Sequence, residues 1–224
     1  MNFTDSGALS ALRERVRPYL TEQRYRHTLE VEEEAARIGA LYLPDKVGRL
    51  RVAALLHDIT KAYSLEKQLQ TCEEFGIIIR KSDLSSPQVL HAATGAAVAG
   101  RDFPEYTDEE ILGGIRWHTT GHDGMTVFES VVYLADYIEP SRTYEDCAAL
   151  RRYFWDGASR AGDRAALAVH LCRTMVLSID MTLRSLMTEG RAIGTDTVLA
   201  RNCFLDRLEA LGAPAGPDPD AKPV

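Results

Sequence analysis

Strand-like alternation of apolar and polar residues is missing from this chain, so no half-buried sheet is expected. The one short β-like run, GIIIR at 76–80, reads as a turn or a buried connection. Paired cysteines are missing too. Cys72, Cys147, Cys172 and Cys203 are scattered, with no C-x-x-C. That excludes a thiolate zinc cluster and predicts free thiols in a reducing cytoplasm. No run approaches the roughly 20 apolar residues of a membrane span, so no membrane association is expected. The opening MNFTDSGALSALRERVR lacks the basic head and apolar run of a secretory signal. Positive charge is in deficit: 26 Lys and Arg against 33 Asp and Glu leave a net charge of -7. That argues against a nucleic-acid polymer as partner. A small anionic ligand stays open, because a bound metal can supply local positive charge.

What is present is helical periodicity along nearly the whole chain. Arg24–Tyr42 repeats apolar residues at Val31, Ala35, Ile38 and Tyr42. Pro44-Asp45 breaks it, and Asp45 is expected to cap a helix running to about Asp58. Leu65–Phe75, a helix opened by Ser85-Ser86-Pro87 and running through Val98, and Asp108–His118 follow. Thr126 and Glu129 have capping-box spacing for a helix through Ile138, closed by Pro140. Asp163–Met187 is long and broadly apolar, a central core element, and Thr195–Leu211 is last. The 224 residues suffice for a substantial core. They read as one all-α domain over 1–211. The Pro- and Gly-rich tail, 212–224, is expected to be disordered. Tyr153, Phe154 and Trp155 suit either core or a homodimer interface.

Histidine is scarce, at six residues, and its placement is unusual. His27 shares a helix face with Val31, Ala35 and Ile38. His57 follows Leu50 and Ala53, His91 lies with Gly95 and Val98, and His118 lies with Ile111 and Ile115. Asp136 comes one turn after Val132, and Asp58 adjoins His57. One buried histidine is ordinary core; four histidines and two aspartates aimed inward need a common partner. A buried unpaired carboxylate costs several kcal/mol, and a divalent ion satisfies imidazole and carboxylate together. The mixed nitrogen and oxygen donors suit iron, manganese, cobalt or zinc in an open catalytic site. His57 can bind one ion while Asp58 bridges to a second. His170 reads as a core histidine, and His122 as a substrate-side or surface residue.

The order His27, His57-Asp58, His91, His118, Asp136 resembles the HD superfamily of metal-dependent phosphohydrolases. RYRHT at 24–28, HDITK at 57–61, HAATG at 91–95, RWHTTGHDGM at 116–125 and LADYIEPSR at 134–142 resemble its YqeK family. Those are symmetrical bis(5'-nucleosyl)-tetraphosphatases, which split diadenosine tetraphosphate into two ADP. The likeness spans roughly residues 20–190 of a helical bundle with the metal site in its core. Two departures stand out: Thr60 where a small apolar residue is expected, and Ala92 where Gly is frequent. The resemblance implies that His27, His57, Asp58 and Asp136 hold a first metal, with Asp58 bridging. His91 and His118 would hold a second metal or contact a substrate phosphate. It also implies iron as the ion.

The expected reaction is in-line attack by a metal-activated hydroxide, with ADP leaving. Asp58 and Lys61 are the expected catalytic pair. Lys61, one turn after His57, is placed to reach a phosphate. Arg24, His91, His118, Thr119 and Arg142 complete the expected substrate contacts, and Thr119 and Gly121 open a loop whose amides suit phosphate. Three other readings compete. One is an HD phosphohydrolase acting on a mono-, tri- or cyclic nucleotide. A second is a non-catalytic nucleotide-sensing module. A third is a purely structural helical protein, which predicts no metal after purification without chelators. A cytoplasmic location is expected throughout.

Overall fold

The computed structural model describes residues 6–214, and every regular element among them is helical. In order they are α1 (Ser6–Val16), α2 (Glu22–Tyr42), α3 (Val47–Leu56), α4 (Leu65–Glu74), α5 (Lys81–Ser85), α6 (Leu90–Asp102), α7 (Glu109–Trp117), α8 (Val127–Ile138), α9 (Glu145–Arg160), α10 (Arg164–Thr188) and α11 (Thr195–Ala210). They form two compact units. One holds α1 to α7 with Thr126–Ser141, and the other holds Gly121–Met125 with residues 142–214. The tail expected to be disordered lies, from residue 215, outside the described residues.

In the first unit α3 is the hub. It packs against α1, α2, α6, α7 and α8, and Leu50, Val52, Ala53, Ala54, Leu55 and Leu56 are fully buried. Each buried leucine contributes about 1.5–3 kcal/mol. From Val52 to Leu56 the helix is apolar on all sides and must be surrounded, and that is what brings its C-terminal end, His57, into the interior. Charged ties fix the neighbours. Glu32 of α2, buried, accepts from Arg13 of α1 at 2.8 and 2.6 Å and from Arg51 of α3 at 3.0 Å.

Several local expectations are realised by the capping chemistry. Thr21, Ser64, Asp108 and Asp163 accept from amides of the first turns of α2, α4, α7 and α10. Thr126 and Glu129 form the capping box of α8. Three expectations are corrected. Asp45 caps nothing; Pro44–Lys46 is a 3-10 turn, and α3 starts without a side-chain cap. Ser86 also makes no cap bond, and Pro87–Val89 is a separate 3-10 turn before α6. In each case proline opens a 3-10 turn where the first turn of the α-helix was expected. The 76–80 segment is a connection but not a buried one, since Ile78 is 86% exposed.

In the second unit α10 packs against α9 and α11. Against the expectation that no run approaches a membrane span, this helix is long and apolar enough by length and composition to cross one, with mean hydropathy 1.4 in its most apolar window, but 56% of that window is buried within the fold. His170 is a core histidine here. Its Nε2 meets the Phe154 carbonyl at 2.8 Å, and its ring lies on Tyr153 and Phe154. Gly157 makes room, as a Cβ there would sit 2.1 Å from the imidazole. Tyr153 and Phe154 are thus core, with Trp155 half-buried. All four cysteines are buried free thiols.

Candidate metal centre

Five helices of the first unit deliver the six inward residues to one place. His27 comes from α2 and Asp136 from α8. His57 caps the C-terminal end of α3, His118 that of α7, and His91 stands in the first turn of α6. α3 stops at Leu56, shorter than the periodicity implies. Asp58 to Ala62 form successive turns, closed by Lys61 N–H donating to Asp58 O at 2.9 Å. That tight reversal turns Asp58 inward beside His57. Gly95 lets α6 approach it, for a Cβ there would lie 3.3 Å from the His57 carbonyl.

The imidazoles are oriented by their second nitrogens. His57 Nδ1 lies 2.6 Å from Ala54 O, His91 Nδ1 2.5 Å from Gln88 O, and His118 Nδ1 2.7 Å from Ile115 O. A carbonyl only accepts, so each Nδ1 carries the proton and each ring aims its Nε2 inward. His27 differs, with Nδ1 3.0 Å from Glu139 Oε1.

Asp58 divides the cluster. Its Oδ2 lies 3.5 Å from His57 Nε2, 4.0 Å from His27 Nε2 and 3.1 Å from Arg24 Nη1. Its Oδ1 lies 3.1 Å from His91 Nε2, 3.8 Å from His118 Nε2 and 4.0 Å from Lys61 Nζ. Asp136 Oδ1 joins the first side, 3.0 Å from His27 Nε2 and 3.7 Å from His57 Nε2. The carboxylate therefore faces His27, His57 and Asp136 with one oxygen and His91 and His118 with the other.

Charge states suit metal binding. Burial pushes the His118 imidazole well below its usual range, and the neighbouring His91 and His57 add to this. Burial likewise lowers His57. Burial alone would raise Asp58, but His57, the hydrogen bond to His91 and Lys61 hold it well below the carboxylate range. Neutral imidazoles around an ionised carboxylate are the forms that ligate. The donors also fit an ion by geometry. Among the described residues the buried Nε2 of His57 has no hydrogen-bond partner. Donors held by one ion at about 2.1 Å lie roughly 3–3.5 Å from one another, and His91 Nε2 lies 3.0 Å from His118 Nε2 and 3.1 Å from Asp58 Oδ1. Both His27, His57, Asp136 and His57, Asp58, His118 converge closely enough to hold an ion.

The HD domain family matches residues 24–141, a span that holds every one of these donors. The chain is 31% identical over 187 residues to the symmetrical bis(5'-nucleosyl)-tetraphosphatase of Bacillus subtilis, covering 84% of this chain and 92% of that one. It is 35% identical over 190 residues to the protein of that name from Halalkalibacterium halodurans, covering 85% and 93%. The chain belongs to the HD superfamily, in its YqeK family. Its fold is similar to a crystal structure from Clostridium acetobutylicum described as a predicted HD superfamily hydrolase involved in NAD metabolism. The TM-score is 0.76 at 28% identity, over 88% of this chain and 97% of that one.

Around this HD cluster, Lys61 Nζ lies 3.1 Å from His91 Nε2, reached through the turn rather than along a helix. Thr119 Oγ1 lies 3.3 Å from the same nitrogen. Arg142 falls in the second unit, where its carbonyl accepts from Arg151 Nη2 at 2.9 Å. Half-buried His122 belongs to that unit too. Sequence reasoning missed two contributors. Glu139 is fully buried and holds His27; its one signal is the carboxylate inside ADYIEP. Thr60, the departure from the family pattern, is buried. Its hydroxyl donates to the His91 carbonyl at 2.9 Å and meets Thr94 Oγ1 at 2.9 Å. Gln68 closes that network, donating to Thr60 O at 2.8 Å and accepting from Thr94 at 2.5 Å.

Proposed function

We propose that this chain is a metal-dependent phosphohydrolase that cleaves dinucleoside tetraphosphates symmetrically, converting diadenosine tetraphosphate and water into two ADP. One observation carries the metal-dependent chemistry: Asp58 turns its two oxygens toward two separate sets of imidazoles. The names of the Bacillus and Halalkalibacterium relatives support the substrate.

His27, His57, Asp58 and Asp136 would hold one ion, and Asp58, His91 and His118 a second. The bound ions supply an acidified water near neutral pH and neutralise phosphate charge. Every other contribution is the chain's own. Asp58 fixes the spacing of the two sets. The carbonyls of Ala54, Gln88 and Ile115 keep three rings in the ligating tautomer. Lys61 and Arg24, at opposite oxygens of Asp58, are set to meet the negative oxygens of a phosphate chain, and Thr119 adds a hydroxyl beside Lys61. Water enters at a central phosphorus, the bridging P–O bond breaks, and its electrons leave with ADP. Diphosphate is a good leaving group, so little proton donation is needed. Iron is the ion that the family resemblance implies; manganese, cobalt and zinc suit the same donors. A cytoplasmic site of action fits a nucleotide substrate.

The test is to incubate metal-loaded protein with diadenosine tetraphosphate and resolve the products by anion exchange. ADP alone supports the reading. AMP with ATP retains the hydrolase and overturns the cleavage position. Absence of turnover, with metal shown by elemental analysis, overturns the substrate. The panel then widens to NAD and to mono-, tri- and cyclic nucleotides. Tight nucleotide binding without turnover of any of them would favour the sensing module.

A further inference from the structure

Glu139 takes no part in the chemistry above, yet it has no exposed surface. It follows the last turn of α8, and Pro140 holds it in extended backbone with φ -57 and ψ 149. Its side chain turns inward. Oε1 lies 3.0 Å from His27 Nδ1 and 2.7 Å from Ser141 Oγ, and Oε2 accepts from Ser141 N–H at 2.5 Å. Asp136, three residues earlier, lies 3.0 Å from His27 Nε2. One helical turn thus places a carboxylate at each nitrogen of the same ring.

The other three imidazoles of the cluster give Nδ1–H to backbone carbonyls three residues before them. His27 alone among the four gives it to a carboxylate. A carbonyl offers a dipole, whereas a carboxylate offers a full charge. The charge-assisted bond is stronger and puts more electron density on the opposite nitrogen. The two sides of Asp58 are therefore unequal.

We propose that Glu139 is a positioning residue. It fixes the tautomer and raises the basicity of His27, so that the His27, His57, Asp136 group binds its ion more tightly than the His91, His118 group. This rests on the metal-dependent reading above. A purely structural carboxylate closing the Pro140 turn would need only its bonds to Ser141.

The experiment uses the full chain with Glu139→Gln, which keeps the shape and removes the charge. Affinity for Mn(II) is measured by competition with a chromophoric chelator, and the visible spectrum is recorded with Co(II). The expected result is a loss of about 10–100-fold in the tighter of the two affinities and a shifted Co(II) spectrum. The weaker affinity and the melting temperature of the chelator-treated protein stay close to those of the unchanged chain. In a His27→Gln background, Glu139→Gln should cause no further loss, since it acts through that ring. Ser141→Ala loosens Glu139 without touching His27 and should give a smaller loss in the same direction, which keeps the proposal testable if Glu139→Gln does not fold. Unchanged affinity in both variants, or an equal loss without His27, overturns the proposal and leaves the hydrolase reading intact. An unchanged chain that binds no ion overturns both.

Discussion

His91 and His118 bring their Nε2 atoms to 3.0 Å of each other. Each ring already donates its Nδ1 proton to a carbonyl. Two lone pairs at that distance repel unless a cation, a proton or a metal ion, lies against both. Metal removal should therefore cost stability. Stripping the protein with a chelator is expected to lower its melting temperature, and adding back Mn(II) should restore it. An ion present at about 100 times its Kd stabilises the fold by about 2.7 kcal/mol. A melting temperature indifferent to chelator and metal would refute metal binding in the core.

Asp58 is the hinge of the site, so its charge matters more than its bulk. Asp58→Asn keeps the volume but presents an amide donor to one set of imidazoles. Loss of an outer carboxylate around a metal site costs about 10–100-fold, and loss of this one, which faces both sets of imidazoles, should cost at least the upper figure in kcat. Elemental analysis should show fewer ions per chain. Retained activity and metal content would place the centre elsewhere.

Lys61 and Arg24 touch the cluster from opposite oxygens of Asp58. If they neutralise phosphate charge, Lys61→Ala should reduce kcat/KM by about 100-fold or more while bound metal stays at the level of the unchanged chain. Steady-state kinetics with elemental analysis separates this from loss of metal. An unchanged rate would remove Lys61 from the reaction.

Thr60→Val replaces a buried hydroxyl by a methyl of equal size. It removes the donor to the His91 carbonyl and leaves Thr94 with one partner fewer. The expected cost is about 1–3 kcal/mol of unfolding free energy, read by urea denaturation. A neutral result would mean the network relaxes around the methyl.

Asp108 gives a stability term with a defined pH dependence. Burial alone would raise its pKa, but hydrogen bonds from the Ile111 amide, Arg49 and the Glu110 amide hold it below the usual value. A folded-state pKa below the unfolded one means the contribution is complete above the unfolded value, about 3.9. It fades as pH falls through the folded one. Asp108→Ala should cost about 1 kcal/mol at pH 7 and progressively less toward pH 2, measured by urea denaturation at each pH.

The donors were legible because a helix has a fixed period. His27, His91, His118 and Asp136 recur in step with Val31, Val98, Ile115 and Val132, and an apolar stripe can only face inward. The all-helical class, the capping box at Thr126 and Glu129, and the core role of His170 follow from equally local rules. Asp45 and Ser86 misled for a local reason as well, since Pro44 and Pro87 open 3-10 turns where an α-helix was expected to start. What no local rule contains is the pairing of distant groups. Glu139 meets His27 across 112 positions of sequence, and Thr60 meets the His91 carbonyl across 31. The sequence by itself determined which side chains must be satisfied in the core. Only the tertiary structure decided which oxygen of Asp58 faces which ring, and which imidazole has a charge behind it. Those depend on distances of about 3 Å between helices, which packing sets and periodicity does not.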